Sequence, residues 1–384
     1  MTIKSDEKSK KYSAIKTRIF LTDLVLTVCL LVIFQVFLSR RVSVLAHNSG
    51  IGFYAGCFVF VAAFMLFLYV MSLPLHVYSS FILEHKFGLS RQSLSSWFRD
   101  EAKSAGLSFV LAVFCVETFY ALLRNFSSAW WIIAAAAWIF FLIILAKFFP
   151  VFIIPLFYKY LPMEDNEYKK KVIDTAERAG VKLMDVCRID FSRKTSKANA
   201  ALVGLGRTRR VILADTLVEK FSPEEVEVVA AHEFGHFKFG HMRKLLFFSG
   251  LTTIAGFFLL SRLMGEIVHF FGSSEIYDLY LLPILVFMMM LFGVFLMPIQ
   301  NFFSRVLERE ADSFSLKLTS NPEAFISAME KLAFINLAET DPSFLKKVFL
   351  YNHPPIRERI EMAKNVRAEK NERYEKTSKN SSSK

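Results

Sequence analysis

The stretch AAHEFGHFKFGH, residues 230–241, holds three of the chain's eight histidines and a glutamate. His232 and His236 are four apart, so on a helix both imidazoles project from one face and can reach one ion. Glu233 points toward the open coordination position, where it can take a proton from zinc-bound water and pass it to a leaving amine. Zinc lowers the pKa of that water to ~7, which makes hydroxide available at neutral pH. The competing reading is a surface helix that happens to carry two histidines. The apolar VEVVAA before the motif and Gly235 inside it weigh against that. Glycine costs a helix ~1 kcal/mol relative to alanine, so its presence points to close packing there.

Two histidines leave a catalytic zinc site one ligand short. The extended pattern HExxHxxGxxH is absent, because Gly240 and His241 fall at the wrong offsets from His236. His241 reads as lying off the ligand face, a helix C-terminal or headgroup-facing histidine. His269 falls in a loop expected on the opposite side of a membrane. The acidic residues Glu308, Glu310 and Asp312 remain. Glu308 and Asp312 share a helix face, with Glu310 pointing elsewhere. Glu308 is assigned as third ligand to one zinc ion, and Asp312 as the acceptor that orients a ligating histidine through its other ring nitrogen. A solvated charged turn is the alternative for EREAD.

Other polar groups fit hydrolysis of a peptide. An extended substrate could add to an exposed edge strand, with NAALVG the candidate. A neutral amide such as Asn199, or His353 of NHPP, could stabilise a developing oxyanion. Arg359 could hold a substrate carboxylate, although a surface ion pair is the commoner fate of such an arginine.

The elements that must position these residues are unusual. Hydrophobic residues make up 54% of 384, phenylalanine numbers 42, and the excess needs somewhere other than an ordinary core. Apolar runs at Ile19–Leu38, Phe53–Leu75, Ala129–Leu145 and Leu279–Phe303 are near or above the ~17–25 residues that span hydrocarbon. Ala105–Leu123, which contains Glu117, and Leu245–Leu260 are weaker candidates, making about six spans. Glu117 should face the bundle interior or water, and Asp23 the interface. The twenty-residue run behind the basic N-terminus, without a cleavage site, reads as an anchor rather than a signal peptide. Cys29, Cys57, Cys115 and Cys187 have no metal-ligand spacing and read as packing.

The net charge of +12 sets orientation. Six Lys/Arg precede the first span, and Lys86, Arg91, Arg99 and Lys103 follow the second. Alternate loops hold only Arg40 and Arg41, Arg124, and Arg262. The positive-inside rule then puts both termini and the zinc residues in the cytoplasm, in the cytoplasmic membrane of a bacterium or the endoplasmic reticulum of a eukaryote. The charges hug span ends, so membrane lipid and not nucleic acid is the expected partner.

The fold class expected is mainly α, a multi-pass membrane bundle with a small α+β zincin-like cytoplasmic catalytic portion. Residues 1–18 form a basic N-terminus, 19–155 a four-span region, and 156–244 an α+β segment. Residues 245–303 form a two-span hairpin, 304–362 a C-terminal catalytic segment, and 363–384 a charged tail disordered beyond a short helix. EDNEYKKKVIDTAERAG reads as an amphipathic helix closed by Gly180, VCRIDF as a strand, and ANAALVGLG with RRVILAD as a hairpin. Ser222, Pro223 and Glu225 open the motif helix with a capping box. A two-span hairpin returns the chain to one face. His236 and Glu308 then lie about 13 and 8 Å from their span ends at ~1.5 Å per residue.

The chain resembles the type I CAAX prenyl proteases, integral-membrane zinc metalloproteases, as a shorter, bacterial-type member. EHKFGLSRQSLSSWFRD, FFPVFIIPLFYKYLP, SKANAALVGLGRTRRVILADTL, HEFGHFKFGH, SRVLEREADSFSLKL and HPPIRERI carry the likeness. It implies zinc on His232, His236 and Glu308, with Glu233 as base. It makes Asn199 and Ala200 edge-strand contacts, His353 a transition-state contact and Arg359 a binder of the substrate C-terminus. It also implies removal of C-terminal residues after a prenylated cysteine. Eukaryotic members are longer, with a further N-terminal span and seven helices around a water-filled chamber. They also typically carry an aromatic after the Asn-Ala pair. The alternatives are a zinc protease that clips misfolded membrane proteins and a non-catalytic metal transporter or sensor. A transporter would place its ligands mid-membrane and would leave Glu233 without a task.

Overall fold

A computed structural model describes residues 3–48, 50–126, 128–204 and 209–382. Four helices long and apolar enough to cross a membrane come first: α1 Glu7–Asn48, α2 Phe53–Lys86, α3 Leu94–Asn125 and α4 Trp130–Phe157. Ala105–Leu123 lies inside α3, and Ala129–Leu145 begins one residue ahead of α4. Aromatic rings lock the first two together: Phe34 and Phe60 are fully buried, and Phe34 meets Phe64 at 4.9 Å between centroids. The outward faces are apolar and bare, with Phe140 63% exposed, as a lipid solvent requires. Glu117 is half-buried in α3, and Asp23 lines a cavity of about 740 Å³ among α1, α2 and α3.

The soluble insertion follows as β1 Tyr160–Pro162, α5 Glu167–Ala179, β2 Asp185–Ile189, β3 Ala200–Val203, β4 Arg210–Ala214, α6 Asp215–Lys220 and α7 Pro223–Lys238. Gly180 closes α5 in the left-handed conformation. The strands form one sheet in the order β1-β2-β4-β3. β3 and β4 are the antiparallel pair expected of the hairpin, Ala200 facing Leu213, with residues 205–208 of its turn outside the described residues. β2 runs parallel to β4. β3 therefore lies at a sheet edge. β1 was not expected: three residues ending in Pro162 carry no alternation to read.

α7 opens with both bonds of the Ser222–Glu225 capping box. Glu225 also accepts from Ser327 at 2.5 Å and Lys331 at 2.7 Å, tying α7 to α10 Pro322–Asn336. Gly240, at φ 63°, breaks the chain into α8 His241–Phe270, the fifth candidate span. The sixth, α9 Leu279–Thr319, leaves the apolar zone and continues unbroken through Glu308 and Asp312. α11 Phe344–Leu350 and α12 Ile356–Ser382 complete the chain. The charged tail, expected to be disordered beyond a short helix, continues α12 as far as Ser382, and Arg367 at its start pairs with Glu323 of α10 at 3.0 Å.

Two close approaches position the site. A Cβ on Gly235 would lie 3.0 Å from the Ala311 Cα, so the missing side chain lets α7 and α9 meet backbone to backbone. Beyond α2, Arg91 donates its N–H to the Lys194 carbonyl at 2.9 Å, and Ser196 donates to Leu89 at 3.0 Å. Lys197 pairs with Glu84 at 2.8 Å. The loop entering β3 is thereby hooked to the membrane helices.

Candidate metal centre

Across the α7–α9 contact, the Nε2 atoms of His232 and His236 are 3.1 Å apart. Glu308 brings Oε2 to 3.2 Å from His232 Nε2 and Oε1 to 3.5 Å from His236 Nε2. Ligands on a tetrahedral ion at bond lengths of ~2.0–2.1 Å stand about 3.3 Å apart, so this donor set fits a zinc-sized ion. Glu308 Oε2 is buried and, despite its nearness to His232, makes no well-directed hydrogen bond. A cation would satisfy it.

The other nitrogens fix the rings. His232 Nδ1 donates to Asp312 Oδ1 at 2.8 Å, which makes Nε2 the nitrogen that faces the other donors. Asp312 is fully buried, and Arg359 forks onto it, Nε to Oδ2 at 2.8 Å and Nη2 to Oδ1. Arg359 is thus a buried partner of Asp312 and not a surface ion pair, and only Nη1 stands outside the fork. His236 Nδ1 is 2.8 Å from His241 Nδ1, and His241 Nε2 is 3.0 Å from Glu310 Oε2, which also takes Lys244 Nζ at 2.9 Å. If His236 turns Nε2 to an ion, its Nδ1–H donates to His241, and His241 donates to Glu310. His241 is therefore neither headgroup-facing nor at a helix C-terminus: it is 1% exposed, the first residue of α8, beneath the second histidine.

Burial pushes the His232 pKa down, but the Asp312 hydrogen bond and charge outweigh it and carry the pKa up to about 9. Burial and the charge of His232 push His236 down to about 4. Burial raises the Glu233 carboxyl, with Glu308 adding to the rise and His232 and the Leu202 backbone N–H opposing it. Burial would raise Glu308 as well, but the closeness of His232 and the charges of the surrounding histidines bring it below its ordinary value.

Glu233, His232, Asn199, His353 and Arg359 line one groove of about 350 Å³. His353 is half-exposed, its Nε2 3.4 Å from Glu308 Oε1 and its Nδ1 2.8 Å from Asn352 Oδ1. Asn199 turns Oδ1 to the Ala200 N–H at 2.9 Å, which leaves its amide nitrogen to donate. His269 lies in the last turn of α8, at the opposite end of that helix from His241.

Residues 162–367 match the family model described as Peptidase family M48. The chain belongs to that family. Residues 1–159 of this M48 peptidase match a second model, CAAX prenyl protease N-terminal, five membrane helices. Among the described residues of that region there are four candidate spans. The chain is 31% identical over 310 residues to an uncharacterized metalloprotease, YhfN, of Bacillus subtilis, covering 80% of this chain and 72% of that protein. It is 31% identical over 319 residues to CAAX prenyl protease 1 of Saccharomyces cerevisiae, covering 76% and 68%. The crystal structure of S. mikatae Ste24p superposes with a TM-score of 0.82 at 26% identity, covering 94% of this chain and 89% of that one. This M48 peptidase is accordingly a multi-pass membrane metalloprotease of the CAAX prenyl protease family.

Proposed function

We propose that this peptidase binds one zinc ion on His232, His236 and Glu308 and cleaves peptide bonds with Glu233 as general base. The observation that carries the reading is the spacing of the donors, 3.1 Å between the two Nε2 atoms and 3.2 and 3.5 Å to Glu308, with Glu233 lining the same groove as His232. A bound zinc supplies Lewis acidity that makes water nucleophilic at neutral pH. Glu233 would take the proton of the attacking water, and burial suits it to the task by raising its basicity above that of an ordinary carboxylate. Asp312, held by Arg359, keeps His232 in the tautomer with Nε2 free, which makes Arg359 a positioning residue. A substrate carboxylate would have only its Nη1.

The substrate pairs as a strand with β3, displacing the contacts that the outward N–H groups of Ala200 and Leu202 make with Asn199 and Glu233. The Asn199 amide donates to the developing oxyanion, and His353 donates from Nε2 as the imidazolium, its Nδ1–H being taken by the Asn352 Oδ1. An apolar cavity of about 490 Å³ between α3, α4 and the sheet is lined by Leu107, Leu111, Phe149 and Ile153 and shares Asn199 and Ala200 with the groove. It supports a substrate with a prenylated cysteine, whose lipid lies there while residues beyond the cysteine cross the ion. The zinc centre then faces the cytoplasm, as the distribution of Lys and Arg supports.

Purified protein offered a farnesylated CAAX peptide and an unprenylated membrane-protein fragment side by side, with products identified by mass, tests the reading. Release of the three terminal residues from the first is expected, with Glu233→Gln slower by two to four powers of ten. Cleavage of the fragment alone would make the protein a clipping protease of membrane proteins. Undiminished turnover by Glu233→Gln would remove Glu233 as base.

A further inference from the structure

α11, sequence FLKKVFL, is inside out for a helix in water. Phe344 is 76% exposed, Leu345 67% and Phe349 40%, whereas its two lysines turn inward. Lys346 pairs with Glu339 at 2.8 Å, and Lys347 with Glu358. Exposed large apolar side chains clustered on one short element mark a contact surface. α11 sits where α9 leaves the apolar zone. Asn301 donates its amide to the carbonyls of Val348 and Phe349 at 3.3 and 2.7 Å. Arg305 donates to those of Lys347 and Tyr351 at 2.7 and 2.6 Å. The terminal carbonyls of a helix have no partner within it. Here side chains of the spanning helix supply the partners, as an element out of reach of bulk water requires.

The same stretch of α9 continues the bare apolar surface: Phe295 is 72% exposed, Ile299 54%, Phe302 60% and Val306 40%. The exposed face of α11 is thus contiguous with the lipid-facing side of a membrane span. We propose that α11 is an interfacial helix that lies in the leaflet on the metal-centre side, with Phe344, Leu345 and Phe349 among the acyl chains. A helix in this position buries its apolar face at the headgroup boundary. Tyr351 and Asn352 lead from it to His353, so the bilayer surface and one wall of the groove are joined by two residues. Asn301 and Glu308 are seven residues apart on α9, about 10 Å at ~1.5 Å per residue.

The test uses full-length protein without its four native cysteines, reconstituted in phosphatidylcholine vesicles with and without a lipid spin-labelled near the headgroup. A fluorophore is attached at Leu345→Cys, at Phe349→Cys, at Phe295→Cys as the lipid reference, and at Lys317→Cys as the aqueous reference. Lys317 is exposed and lies fourteen residues beyond Phe303, about 21 Å along α9. Quenching at 345 and 349 at least fivefold stronger than at 317 is expected. Quenching nearer to that of 317 than to that of 295 would overturn the proposal. If the same site were shielded from water but not quenched by lipid, the face would belong to a second copy of the chain or another protein, which would overturn it equally. Neither readout depends on peptidase activity or on zinc.

Discussion

His241 shows how a ligand's environment can hide from its motif. Judged as a continuation of α7 it falls off the ligand face, but Gly240 ends α7 in the left-handed conformation and restarts the chain as α8. That glycine was the available signal. Asp312 was legible, because four-residue spacing from Glu308 puts both on one helix face. Its partner Arg359 was not assigned to it, since forty-seven positions separate them and no local pattern joins them. Removing the support of a ligating histidine typically weakens metal binding by 10–100-fold, so His241→Ala should raise the zinc dissociation constant by about that factor, measured by chelator competition. An unchanged constant would make the His236 contact incidental. Metal-free His232 holds a proton at its ion-facing nitrogen up to pH about 9, and zinc must displace it. Zinc affinity should therefore rise about tenfold per pH unit from 7 toward 9 and level off above. In turnover, burial of Glu233 should put the acid limb of kcat/KM above the ordinary carboxylate range. Glu233→Gln should slow turnover by about two to four powers of ten without moving the zinc constant.

At the scale of elements, what could be read was what is local. The capping box of α7, the glycine closing α5, the β3–β4 hairpin and the apolar runs all declare themselves within a few residues. The parallel pairing of β2 with β4 and the hooking of the Leu89 segment to the loop before β3 join distant segments and leave no periodic trace. Gly235 lies between these cases: its sequence context announces a close approach, and Ala311 proves to be the neighbour. Gly235→Ala would put a methyl 3.0 Å from a backbone carbon, so α7 and α9 must part by a few tenths of an ångström. The expected cost is about 1–3 kcal/mol, typical of overpacking, together with weaker zinc binding as Glu308 draws away from the two imidazoles. Thermal unfolding and zinc titration of the same variant check both. A variant as stable and as tightly zinc-bound as the parent would mean that the contact between α7 and α9 is loose.

For the whole molecule, the six apolar helices and the charge between them define a topology in which α8 and α9 form an antiparallel pair. Composition alone announces the membrane, since bare rings such as Phe295 on the spans are stable only in lipid. Among the described residues four candidate spans precede the insertion, where the matching family model describes five. An impermeant thiol reagent should label Lys317→Cys only from the cytoplasmic side and Phe270→Cys only from the other. Labelling of both from one side would break the hairpin. The whole arrangement exists to bring two imidazoles of α7 and a carboxylate of α9 within 4.8 Å of one another. The zinc content of purified parent protein, Glu233→Gln and Glu308→Ala, by mass spectrometry after exhaustive dialysis, tests that most directly. About one zinc per chain is expected in the first two and almost none in Glu308→Ala. A full equivalent of zinc retained by Glu308→Ala would contradict the assignment of Glu308 as third ligand.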